Sequence, residues 1–116
     1  MRLSSLFIAA AMSAGALIVG AEARQALPQP PANLARGQAI AQEKCGSCHA
    51  IGLTGDSPLT DAPRFRDLHE RFDVADLQEA LAEGIVVGHG PMPAWALSAT
   101  DVRDLIGYMK SLEPKA

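Results

Sequence analysis

The sequence predicts an all-α chain of three to five short helices joined by long connections. Three observations carry that expectation. Segments near residues 34–45, 73–84 and 98–112 space their apolar residues with a helical period and follow capping side chains. The stretches between them are dense in Gly, Pro and Asp, which end regular structure. The one apolar run that could form a strand, "IVVGHGPMPAWAL", is broken by glycines and prolines and has no second strand to pair with.

Taken in order, residues 1–23 read as a secretory signal peptide. Arg2 supplies the positive start, "LFIAAAMSAGALIV" the apolar middle and Ala21-Glu22-Ala23 a small-x-small cleavage site. The apolar run is shorter than the ~20 residues of a spanning helix, so cleavage, export to the periplasm and no stable membrane insertion are expected. Residues 24–32, "RQALPQPPA", form a Pro-rich spacer. The folded domain is expected over residues 33–113. Asn33 caps a first helix, "LARGQAIAQEKC". Residues 50–63 are an extended loop, followed by a helical turn at 65–71. Asp73 begins "DVADLQEALAEG", in which Asp76 stands three residues on and Val74, Leu77 and Leu81 share a face. Gly84 ends that helix in the left-handed conformation. The last helix starts at Ser98 or Thr100, with Ser98 and Asp101 as a capping box. Val102, Leu105, Ile106 and Met109 form its buried stripe, and Pro114 lies just past its end.

At 116 residues there is room for one domain, and no run repeats at a fixed period. The net charge of −3 argues against a nucleic-acid partner, which would call for a basic excess. Only 4% of the residues are aromatic, and one of these, Phe7, falls in the signal segment. A small chain of short helices with so few large side chains buries little apolar surface and needs a staple or a filler.

The stretch "EKCGSCHAIG" holds both cysteines and one of the three histidines. A disulfide between Cys45 and Cys48 would close so short a loop that it would constrain the unfolded chain weakly. A zinc site needs four ligands, and only His69 and His89, without paired spacing, could complete one. A thiol redox site needs a strand and a βαβ frame. Haem attachment needs only what is present: Cys45 and Cys48 lie one helical turn apart, able to add to two vinyl groups, and His49 follows to reach the iron. Covalent haem would also fill the missing core. Among the methionines, Met92 stands out, because Pro91 and Pro93 exclude it from any helix and place a soft thioether on a stiff loop. His89 is its rival as a ligand. His69 reads as a solvated helix residue. Phe65, Ile85, Val87 and Trp95 read as pocket wall, while Arg64 and Arg66 are either propionate partners or solvated charges. An apolar cavity bounded by Cys45, His49, Pro63, Phe65, Met92 and Trp95 is expected.

Over residues 33–112 the chain resembles the small bacterial class I cytochromes c. Beyond Cys45, Cys48 and His49, the resemblance rests on "APRFRDL", "GPMPAW" and "DLIGYMKSL". It implies a cytochrome c-like fold, with the helices wrapped around one covalently attached haem c. It implies Met92 as the second axial ligand opposite His49, so that these two residues bind the metal. It implies that the Pro63 carbonyl accepts a hydrogen bond from the His49 ring, and that Gly37 meets Leu105 and Tyr108 where the first and last helices cross. Ala41 departs from the pattern, standing where the family often has an aromatic residue. The functional expectation is a monomeric, soluble periplasmic electron-transport protein, not an enzyme, that docks transiently with larger redox proteins. Two alternatives are the cytochrome subunit of a periplasmic dehydrogenase complex and, if Met92 is labile, a gas-sensing or peroxidatic haem protein.

Overall fold

Asn33 sits in extended backbone, and its side chain accepts a 3.0 Å hydrogen bond from the Arg36 N–H, so a helix begins directly after it. In the computed structural model, which describes residues 27–84 and 92–115, this helix, α1, spans Leu34–Lys44. The signal segment and residues 85–91 of the apolar run lie outside the described residues. After α1, the loop expected from its breakers is tied down at several points. The Ala50 N–H donates to Ser57 Oγ at 3.0 Å, and the Phe65 N–H to the Ala50 carbonyl at 3.0 Å. The Arg66 guanidinium donates to the carbonyls of Gly52 and Gly55 at 3.2 and 2.7 Å, and the Tyr108 hydroxyl to that of Ile51 at 2.9 Å. Gly55 has φ +84°, the left-handed region that glycine enters without a steric penalty.

A first 3₁₀ turn, Phe65–Glu70, buries Phe65 and Leu68. The single helix expected from Asp73 is split. Its start is a 3₁₀ turn, Val74–Asp76, which runs straight into α2, Leu77–Glu83. The reason lies in the cap: the Asp73 carboxylate accepts from the Ala75 N–H, two residues on, which favours the tighter winding. Gly84 then stops α2 at φ +73°. Residues 92–98 have no regular structure. Ser98 caps α3, Ala99–Ser111, by accepting from the Asp101 N–H at 3.1 Å. The reciprocal half of the expected capping box is absent, because the Asp101 carboxylate is drawn across to Arg36 on α1.

The core sits where α1 and α3 cross. A β-carbon at Gly37 would lie 2.0 Å from the Asp104 carbonyl oxygen and 2.8 Å from the Tyr108 Cβ, so the approach requires glycine. The predicted stripe of Val102, Leu105, Ile106 and Met109 is buried, together with Ala41, Phe65, Leu68, Val74, Leu81, Tyr108 and Leu112. Ala41 is fully buried, so the small residue leaves no solvent at the crossing. The end of the Pro-rich spacer also rests on this unit, with Ala32 laid against Gly107 of α3. Among the described residues there is no strand, and no helix is long and apolar enough to cross a membrane. The fold is all-α. His69 departs from its reading as a solvated residue: it is half-buried, and its Nδ1 is enclosed without a hydrogen-bond partner among the described residues, because the first 3₁₀ turn packs inward around Leu68.

Candidate haem-attachment site

Cys45 caps the C-terminal end of α1, and the chain winds on for one more turn. The N–H groups of Cys48 and His49 both reach the Cys45 carbonyl, at 3.1 and 2.9 Å. The two thiols are therefore held one turn apart with the imidazole directly after them. Both cysteines are free and half-buried. Cys45 packs against the core, and burial pushes its thiol up to about 11. A thiol redox centre needs the opposite, a thiol lowered toward neutrality so that thiolate is present. Among the described residues no three His, Cys, Asp or Glu side chains are grouped to hold a metal.

The His49 Nδ1 lies 2.7 Å from the Pro63 carbonyl oxygen. A carbonyl can only accept, so Nδ1 carries a proton, and in the neutral ring the lone pair is then on Nε2. This is the tautomer of a metal-binding imidazole whose second nitrogen is fixed by the protein. The Phe65 ring, 2% exposed, stands 5.4 Å from the His49 ring at 48°. Because the Phe65 N–H also clips to the Ala50 carbonyl, the first 3₁₀ turn is fastened to the residue after His49. The fold thus gathers Cys45, Cys48, His49, Pro63 and Phe65 from two separate segments.

Trp95 approaches from a third segment. It is half-buried, and the Lys44 Nζ lies 4.8 Å from its ring centre. Its neighbours are pinned to α2: the Leu97 N–H donates to the Leu81 carbonyl at 2.8 Å, and Ala96 packs on Gly84. Met92, half-buried, opens this segment. His89, Ile85 and Val87 lie outside the described residues. Of the two readings of Arg64 and Arg66, the structure engages both side chains within the protein. Arg64 pairs with Asp67 at 2.6 Å and Asp56 at 3.3 Å, while Arg66 holds loop carbonyls. Of two surface clefts, one of about 460 Å³ beside Arg64 and Arg71 shares only Pro63 with the boundary expected from the sequence, and one of about 830 Å³ between α2 and α3 shares none of it. Sequence reading missed Ser57, the bond from the Tyr108 hydroxyl to the loop after His49, and Lys44, whose only signal was its place next to Cys45.

Two free thiols one turn apart, an imidazole with a bare Nε2 and an adjoining aromatic wall fit covalent haem. A family model described as "Cytochrome C oxidase, cbb3-type, subunit III" matches residues 32–109. The chain belongs to the c-type cytochromes. It is also similar to "Cytochrome c-552" of Bradyrhizobium diazoefficiens, at 31% identity over 83 residues, covering 72% of this chain and 78% of that protein. No solved structure matches it. This is a small monohaem c-type cytochrome, an electron-carrying protein whose cofactor is one covalently bound haem c, with Cys45 and Cys48 suited to its attachment.

Proposed function

We propose that this cytochrome is a periplasmic carrier that shuttles single electrons between larger redox proteins, with His49 and Met92 as axial ligands of its iron. The observation that supports it best is the 2.7 Å hydrogen bond from His49 Nδ1 to the Pro63 carbonyl, which leaves Nε2 free to ligate. When bound, the haem supplies reversible one-electron chemistry between ferric and ferrous iron. Cys45 and Cys48 would hold it by thioether bonds. Pro63 fixes the orientation of the His49 ring and raises its basicity. Met92, between two prolines, offers a soft sulfur that favours the ferrous state. With His49 and Met92 both given to the iron, the haem would have no place for a substrate, and its chemistry would be transfer and not turnover. Phe65 and Trp95, as walls, exclude water and disfavour the extra positive charge of the oxidised state, which raises the potential. Docking would use a small surface and short-lived complexes, and residues 1–23 would direct export.

A second reading, residence as a cytochrome subunit within a larger redox complex, is favoured by the oxidase-subunit description of the matching family. Mild isolation from periplasm distinguishes the two: a free carrier elutes alone, a subunit with its partners. The ligand assignment is tested by Met92→Ala. The oxidised variant should lose the weak red sulfur-to-iron absorption, its potential should fall, and the reduced protein should bind carbon monoxide, which the parent excludes. If Met92→Ala leaves band and potential in place while His89→Ala changes them, the assignment is wrong.

A further inference from the structure

Lys44 is the last residue of α1 and stands next to Cys45, and its ammonium lies 4.8 Å from the centre of the Trp95 ring. The Lys44 side chain is 28% exposed, so this cation is partly shielded from water. Glu43, 3.5 Å from the same ammonium, is 75% exposed and competes weakly. Trp95 lies three residues beyond Met92, in a stretch without regular structure. Farther along, Ala96 and Leu97 fasten the stretch to the end of α2 and not to α1, whose end Cys45 caps. Met92 and Cys45 thus belong to different segments, and the cation over the indole face links them.

We propose that Lys44 and Trp95 form a latch that holds the Met92 segment against the end of α1, which makes both of them positioning residues for the sixth iron ligand. The proposal rests on the reading of Met92 as that ligand. An indole attracts a cation through the negative face of its ring, more strongly than other aromatic side chains do. In the closed state the latch shortens the excursions of Met92. Opening it lets an external ligand compete.

The test uses the oxidised holoprotein and imidazole as that competitor. Imidazole and a thioether are both neutral, so loss of the Lys44 charge acts alike on both ligation states. Loss of the contact acts on the closed state alone. Lys44→Met should bind imidazole roughly two- to five-fold more tightly, the range expected for a partly exposed cation–π contact. Lys44→Arg should remain close to the parent. Trp95→Leu should also bind imidazole more tightly, and adding Lys44→Met to it should change nothing further. Denaturant unfolding of the same variants separates a structural role, which would move the unfolding midpoint and leave imidazole affinity unchanged. Should Lys44→Met fail to acquire haem, Trp95→Phe supplies the same readout with a weaker ring. Unchanged imidazole affinity in both single variants, or fully additive effects in the double variant, overturns the latch. A parent protein without a Met92-dependent red band overturns the ligand assignment and the latch together, whereas a band present but indifferent to Lys44 and Trp95 overturns the latch alone.

Discussion

Asp104 carries a charge with 1% of its surface exposed, at the centre of the α1–α3 crossing. Its carboxylate accepts the Asn33 N–H at 3.0 Å, Arg36 at 2.9 Å and Arg103 at 2.9 Å. The Asn33 N–H first, then the Arg36 guanidinium, hold it well below its ordinary value of 3.8, at about 2. An acid held lower in the folded than in the unfolded chain stabilises the fold at every pH above its unfolded value, and that contribution disappears as pH falls through the folded value. The thermal midpoint of the parent should therefore exceed that of Asp104→Asn by a constant margin from neutrality down to about pH 4. The margin should narrow as pH drops toward 2, and a margin independent of pH over that range would remove the charge from the explanation. None of this was legible in the sequence. Asp104 occupies one position in a helix whose apolar stripe was plain, and its partners Asn33 and Arg36 come from the far end of the chain. The same distance hid the diversion of Asp101 to Arg36.

Among the elements, what was legible was local. Asn33, Ser98 and Gly84 mark helix ends through bonds or backbone angles that span four residues or fewer, so their chemistry can be read directly. The buried stripe of α3 follows from period alone. The winding of the residues after Asp73 was misread, because the choice between a 3₁₀ and an α start depends on which N–H the cap reaches. At the crossing, the resemblance pointed to Gly37, and the structure supplies the reason as distances. In Gly37→Ala the added carbon would meet backbone of α3, which cannot turn away as a side chain can. The variant gains up to about 1 kcal/mol of helix propensity. Overpacking against fixed neighbours costs about 1–3 kcal/mol, and more where the neighbour is backbone. The net expectation is a loss of about 2 kcal/mol, read as a lower urea midpoint. A Gly37→Ala protein as stable as the parent would mean that the helices do not approach as closely as described.

At the scale of the molecule, the buried side chains form one cluster among α1, the first 3₁₀ turn, α2 and α3, and Cys45 and Ile51 pack on its edge. His49, Met92 and Trp95 are only half-buried. That division was foreseeable from the scarcity of aromatic residues, since a chain with so few of them cannot fill its own interior. The C-x-x-C-H motif was legible because all its parts are consecutive, and Trp95 stood out as a candidate wall, but its contact with Lys44 was not legible, because only folding brings the two together. Covalent haem on the core's edge should therefore stabilise the whole fold as well as carry electrons. The attached haem is present on the folded and the unfolded chain alike, so its contribution is the apolar surface removed from water only on folding, about 25 cal/mol per Å². About 100 Å² covered in this way contributes about 2.5 kcal/mol, a large share of the roughly 5–15 kcal/mol that separates a small domain from its unfolded state. The parent, denatured and extracted with acid acetone, should keep its colour, and its mass should exceed that of the chain by one haem. Cys45→Ser with Cys48→Ser should lose the colour, lower the urea midpoint by the equivalent of about 2–3 kcal/mol and weaken the helical signal. Cys48→Ser alone should retain one thioether bond, coloured but less stable. Haem extracted freely from the parent would show that it is not covalently held, and a double variant as stable as the parent would show that attachment and folding are independent in this cytochrome.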